Sequence, residues 1–267
     1  MTTPSAMTVS LLMTSPVVSV TAATTLDAAY RTMAERRVSC VPVLDSNGRA
    51  VGVLSDTDLL RVGRMQPASL AGMQVLELPP EPVSQHMHAG VITVTPDTLA
   101  TAAAALLVEH HIHRVFVAKE KEGEIVGVFS TEEILVAIRE KRIGTPVGDV
   151  MTTRVETIAI TAPISEAAAR LDHAGFTGLV VVDEHHHPVG VFTRTEALKA
   201  SHLPADAKIE DAMSYAMLHQ NARTPLFRAA AHAYETGTRR VMVLDGRKLA
   251  GVLTGLDFAR ILATSGE

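Results

Sequence analysis

Gly52-Val53-Leu54-Ser55-Asp56-Thr57-Asp58 closes a short apolar run, and the chain repeats the phrase three more times. The other versions are Gly127-Val128-Phe129-Ser130-Thr131-Glu132-Glu133, Gly190-Val191-Phe192-Thr193-Arg194-Thr195-Glu196 and Gly251-Val252-Leu253-Thr254-Gly255-Leu256-Asp257. Each reads Gly-Val-apolar-Ser/Thr-x-x-Asp/Glu, and the hydroxyl residues recur at intervals of roughly sixty to seventy-five positions. Self-similarity at a near-fixed period marks one supersecondary unit copied along the chain. The chain is therefore four units of about sixty residues each.

The order of elements inside a unit is constant. In the first, Val17-Val18-Ser19-Val20 reads as a strand, and Thr24 with Asp27 has the spacing of a capping box that opens a helix through Arg37. Cys40-Val41-Pro42-Val43-Leu44 and Ala50-Val51-Gly52-Val53-Leu54 flank the turn Asp45-Ser46-Asn47-Gly48, a hairpin signature. A second helix opens at Ser55. In the other units the first helices start near Thr98, Ile164 and Pro225, and the hairpins turn at Glu122-Gly123, Glu184 to Pro188 and Asp245-Gly246. The fold class is thus α/β (α+β), as four β-α-β-β-α repeats at 8–64, 83–141, 147–203 and 208–264. A unit this small cannot bury its sheet and both helices alone, so neighbours pair.

Composition narrows the function classes. Of 267 residues, 47% are hydrophobic, enough to fill several small cores. A net charge of −5 gives no bulk attraction to nucleic acid, and the absence of Trp, with three Tyr, leaves few stacking platforms. Cys40, the single cysteine, cannot close an internal disulfide and fits a reducing compartment. Met1 to Met7 carries no basic segment ahead of an apolar core, so no secretory signal is expected. The longest near-apolar run, Leu99 to Val108, is about half of what a spanning helix needs. A cytoplasmic protein with no membrane or nucleic-acid partner is the expectation.

The openings Leu12-Met13-Thr14-Ser15-Pro16-Val17 and Val150-Met151-Thr152-Thr153-Arg154-Val155 recur in weaker form as Gln85-His86-Met87-His88 and Ala212-Met213-Ser214. Together with the second strands, of which Val41-Pro42-Val43-Leu44-Asp45 is the fullest, they make the chain resemble the cystathionine-β-synthase (CBS) domain family in four copies, from about Thr8 to Leu262. The resemblance implies that consecutive domains pair across their sheets into Bateman modules, and that two modules stack into a disc. It also implies a regulatory protein and not an enzyme, one that senses adenine nucleotides, AMP or ATP first.

Ser/Thr followed three residues later by an acid is also an ordinary capping box. Glu133 and Glu196 have the reach for the reciprocal bond to the cap amide, whereas Asp58 and Asp257 are one methylene shorter and poorer partners for it. In the family, Asp at this place accepts ribose hydroxyls while the Ser/Thr and the helix N-terminus lie near phosphate. The resemblance therefore assigns one site per module, at Ser55/Asp58 and Thr254/Asp257. A four-copy member of the family carries a His-Arg pair at the start of the second strand, directed at nucleotide phosphates in the disc centre. Here the pairs are His113/Arg114 and Arg239/Arg240, in slots that hold Ser39-Cys40 and Thr177-Gly178 elsewhere. His113 and Arg114 are expected to share a ligand with Asp58, and Arg239 and Arg240 to serve the second module. Thr14, Val38, Ser39, Val41 and Pro42 complete the candidate site, with the apolar members equally suited to core.

Three other features are read as structural. His185-His186-His187 falls in a turn, where adjacent side chains rarely converge on a metal, and no metal is expected. His110, His111 and His113 straddle a helix end, where His suits the dipole. Cys40 has no base beside it in sequence. No P-loop, dinucleotide fingerprint or catalytic triad is present. Signalling is expected through an unknown protein partner or through a second disc stacked as a homodimer. The alternatives are a sensor of an S-adenosyl ligand or cyclic dinucleotide, and a scaffold without ligand.

Overall fold

The computed structural model describes residues 7–67, 74–121, 123–173, 178–200, 203–204 and 206–265. The segment Met1 to Ala6, the turn residue Glu122, Thr177 and parts of the linkers at 62–82 and 201–207 lie outside them.

All four repeats fold as mixed α/β units of the same order. Their first helices are α1 (Leu26–Arg36), α3 (Ala100–Glu109), α5 (Ile164–His173) and α7 (Leu226–Thr236). Their second helices are α2 (Asp56–Val62), α4 (Thr131–Glu140), α6 (Arg194–Lys199) and α8 (Gly255–Thr264). In the sheet of each repeat a short first strand runs parallel to the second, and the second pairs antiparallel with the third; Arg64–Pro67 and Gln74–Glu77 form a separate two-stranded antiparallel sheet after repeat 1. The hairpin register slips at one equivalent place in every copy: Val43/Leu44, Val117/Ala118, Val181/Val182 and Val243/Leu244. Such a bulge bends the strand end and increases its twist.

Two local expectations are corrected. The first strand of repeat 1 is limited to Val20–Thr21. Helix α1 is capped by Thr25, whose hydroxyl accepts from Ala28 N, while Thr24 Oγ1 accepts from Thr21 N and shapes the preceding turn. Thr24 and Asp27 therefore do not form a capping box.

Pairing within a module is reciprocal. The opening segment of each repeat leaves its own sheet and bonds the third strand of its partner: Thr14 to Val128, His88 to Val53, Thr152 to Val252 and Ser214 to Val191. This exchange explains the glycine of the repeated phrase. A Cβ at Gly52, Gly127, Gly190 or Gly251 would stand 2.5–2.7 Å from the sulfur of the partner's opening methionine, Met87, Met13, Met213 or Met151. Only glycine leaves room for that thioether.

Packed sheets form one small apolar layer in each module, around Phe116 in the first and Met242 in the second. The modules join through helices. Ala100, Ala103, Ala104 and Leu107 of α3 and Leu226, Ala229, Ala230 and Ala233 of α7 recur at i, i+3, i+4, i+7. These small faces let α3 pack on α8 and α7 on α4, so one continuous core runs through repeats 2 and 4. Repeats 1 and 3 keep separate cores and meet along the shorter α2 and α6.

Candidate ligand clefts and central chamber

The repeated phrase builds the junction between third strand and second helix. In all four copies the Ser/Thr caps the helix and the acid closes the box back onto the cap amide. The aspartates do so as well as the glutamates: Asp58 Oδ2 accepts from Ser55 N at 3.0 Å and Asp257 Oδ2 from Thr254 N at 2.8 Å. The expectation that Asp is a poorer partner for this bond is corrected, because the extended cap residue turns its amide toward the N3 side chain. In repeat 3 Glu196 accepts from both Thr193 N and the Thr193 hydroxyl.

What distinguishes the copies is the acid's other oxygen, which reaches into the partner repeat. Glu133 Oε1 accepts from the Thr14 hydroxyl at 2.7 Å, and Asp257 Oδ1 from the Thr152 hydroxyl at 3.1 Å. Asp58 Oδ1 meets His88 Nε2 at 2.8 Å instead. Asp58, Glu133 and Asp257 are the buried charged residues among those described. Each carboxylate sits in an N-terminal helical turn, where the macrodipole favours its charge.

Two equivalent clefts follow, one per module. The module-1 cleft, about 170 Å³, lies between the repeat-1 segments Thr14–Val18 and Arg37–Cys40 and repeat-2 residues Arg114, Ser130 and Glu133. The module-2 cleft, about 260 Å³, lies between Thr152–Glu156 and Gly178–Val180 of repeat 3 and Arg240, Thr254, Asp257 and Arg260 of repeat 4. A larger cavity of about 410 Å³ sits in the α4–α7–α8 seam, but none of the four motif acids lines it.

Both clefts open toward a central chamber of about 310 Å³, where the N-terminal residues of α2, α4, α6 and α8 meet. His113, Arg114, Arg194, Arg239 and Arg240 line it, with Glu132. His113 touches the open chamber, yet partial burial first, and the guanidinium groups of Arg114, Arg239 and Arg240 second, hold its imidazole below the usual range. Burial lowers the pKa of Arg240, and Glu196 opposes the shift. Asp56 is pushed up by burial against the pull of Arg239, Lys199 and Arg114. A chamber lined by four arginines and four helix N-termini is suited to a polyanion.

The expected residues are thus redistributed. Thr14, Val38, Ser39 and Arg114 do meet in the module-1 cleft. Ser55 and Asp58 do not join them; the acid there is Glu133, which sequence reasoning had assigned to capping alone. Asp58 faces the opening of repeat 2, where His88 takes its free oxygen. Val41 belongs to the repeat-1 core and Pro42 is buried in mid-strand. His113 faces the centre. Thr254, Asp257 and Arg240 come together in module 2 as expected, but Arg239 does not: its Nη2 donates to Ser39 Oγ of module 1 at 2.9 Å. Thr152, Arg154 and Arg260 were missed. Thr152 was legible from its place after Met151, the slot of Thr14, and Arg260 from its position three residues after Asp257. Cys40 lies beside the module-1 cleft with its thiol pushed up by burial. The three histidines at 185–187 cap a turn in which Asp183 Oδ1 accepts from two of their amides.

Comparison with known proteins agrees with this architecture. The family model described as CBS domain matches residues 9–64, 83–140 and 147–203. The fourth repeat lies outside those matches but has the same element order, bulge and capping box. The crystal structure of protein MJ1225 from Methanocaldococcus jannaschii, described as a candidate archaeal homologue of g-AMPK, covers 96% of this chain and all of its own, with 18% identity and a TM-score of 0.76. An uncharacterized conserved protein from Pyrococcus horikoshii covers the same shares at 20% identity and a TM-score of 0.69. By sequence, MJ1225 is 22% identical over 192 residues, 65% of this chain and 69% of that protein. MJ1404 of the same organism is 23% identical over 68% of this chain, and the alignment spans 62% of MJ1404. Among the described residues no helix is long and apolar enough to cross a membrane.

Proposed function

The chain belongs to the CBS-domain family, and on that premise we propose that it is a non-catalytic sensor of an adenine nucleotide, bound first in the module-2 cleft. The reading rests on one observation: Thr152, Arg240, Thr254 and Asp257 line a single cleft that opens onto a cationic chamber. Asp257 keeps Oδ2 for its own helix and holds Oδ1 toward Thr152 and Arg260, at 3.1 and 3.0 Å. A ribose diol would replace these neighbours as donors to Oδ1. The phosphate would lie at the start of α8, against Arg240. Specificity for the base falls to main-chain groups of Val155 and Gly178–Val180, since no aromatic ring lines the cleft. In module 1 the equivalent acid is Glu133, so a nucleotide there is held more by its phosphates than by its ribose. An S-adenosyl ligand offers the arginines one carboxylate beside a sulfonium cation and no phosphate, which places it behind the phosphorylated ligands.

Isothermal titration of AMP, ADP, ATP, S-adenosylmethionine and cyclic di-AMP tests this. Asp257→Asn keeps an oxygen for the cap but removes the charge, worth about 1.5–3 kcal/mol in a charge-assisted contact, so affinity should fall about ten- to hundredfold at one site. Silence toward the whole panel would leave the scaffold reading standing.

A further inference from the structure

Arg114 of repeat 2 and Arg239 of repeat 4 converge on one neutral hydroxyl. Ser39 Oγ accepts from Arg114 Nη2 at 3.2 Å and from Arg239 Nη2 at 2.9 Å. Arg114 belongs to the module that owns Ser39, but Arg239 comes from the other module. Arg240 opens the second strand of repeat 4 and lines the module-2 cleft, while Arg239, in the bend just before that strand, turns across the chamber into the module-1 cleft. Arg37 lines that cleft too, against the carboxylates of Glu132 and Glu133. Glu133 accepts from Ser130 and Thr14, neutral donors that leave its charge in place, and Asp56 with Glu132 adds to the acidic groups near the two arginines. Two guanidinium groups sharing a neutral acceptor repel each other, and an anion in that place gains charge-assisted bonds from both.

We propose that Arg239 is the specificity-determining residue of the module-1 cleft, selecting ligands with two or more phosphates over those with one. Arg114, from the cleft's own module, meets the phosphate nearer the sugar. Arg239 enters from the far side of the chamber and meets the part of the chain that extends beyond the cleft. A monophosphate therefore leaves Arg239 on Ser39, whereas a di- or triphosphate draws it off. The proposal rests on the nucleotide reading above and adds the phosphate count and the residue that sets it.

The test is the ratio of ATP to AMP affinity in the full chain, by isothermal titration, for the wild type, Arg239→Ala and Arg239→Lys. Arg239 is exposed, and thermal melts of each variant check that the fold is kept. Arg239→Ala should lower ATP affinity about tenfold while moving AMP affinity by less than about threefold. Arg239→Lys, which keeps the charge without the fork, should recover part of the difference. Equal effects on ATP and AMP, or none on either, overturn the assignment while leaving nucleotide sensing intact. A wild type that binds no nucleotide at all removes both.

Discussion

Replacing Gly251 with alanine tests whether the exchange of opening segments holds the modules together. The new Cβ would stand 2.5 Å from Met151 Sδ, 2.8 Å from Met151 Cγ and 2.9 Å from Thr152 O. The methionine can swing aside, since its thioether has several rotamers. The carbonyl cannot, because Thr152 and Val252 exchange two backbone hydrogen bonds at 2.9 and 3.0 Å. Relief requires the opening segment to back away, weakening both bonds and drawing the Thr152 hydroxyl off Asp257. Two backbone bonds at about 0.5–1.5 kcal/mol each, with about 1–3 kcal/mol for overpacking, give roughly 2–6 kcal/mol. Alanine also stiffens the unfolded chain, which returns about 0.4–1 kcal/mol, so the net loss is about 2–5 kcal/mol. Urea unfolding reads the stability, and nucleotide titration reads the cleft, which should weaken in parallel. Gly127→Ala is the internal comparison, because its nearest backbone oxygen, Thr14 O, is 3.2 Å away and clears more easily. A Gly251→Ala protein within about 0.5 kcal/mol of wild type, or a costlier Gly127→Ala, would refute the reasoning.

Two further outcomes are expected. His113 has a folded pKa below its unfolded value of about 6.5, so the unfolded chain takes up the proton first and stability is lost as pH falls below that value. His113→Asn should flatten the part of the decline that lies between about pH 7 and pH 5 in scanning calorimetry; an unchanged slope would show that burial and the neighbouring arginines do not hold its imidazole low. In hydrogen exchange, amides of α3, α4, α7 and α8 should be slowest with or without nucleotide, and ligand-induced protection should concentrate in repeats 1 and 3. Uniform protection across all four repeats would contradict this.

The repeated phrase carried the fold because each of its positions has a local job: strand, cap and first helical turn. The hairpin turn at Asp45–Gly48 was legible for the same reason, with Gly48 at φ +74° and Asp45 Oδ1 accepting from Asn47 N and Arg49 N. What sequence did not reveal lies between repeats. The glycine of the phrase is explained by a methionine in the partner repeat, from about two dozen to over a hundred positions away. Glu133 looked like a pure capping residue because its reach was measured against its own helix, while its second oxygen reaches Thr14 119 positions earlier. The Arg239/Arg240 pair was treated as one unit, although adjacent positions at a strand start diverge.

The four repeats are alike in sequence but not in mechanical role. Helices α3, α4, α7 and α8 share one core, so repeats 2 and 4 form a spine across the disc. Repeats 1 and 3 hold to that spine through the exchanged opening segments and sheet layers, and to each other through α2 and α6, of seven and six residues. Each cleft is closed on one side by an outer repeat, through Arg37–Cys40 or Gly178–Val180, and on the other by the spine, through Glu133 or Asp257. A ligand that fits one spacing of outer repeat and spine better than another shifts the outer repeat, by no more than its difference in affinity for the two. The spine has the larger packed interface to lose and moves least. Arg239, rooted in the spine and bonded to Ser39 of an outer repeat, lies on the path between them.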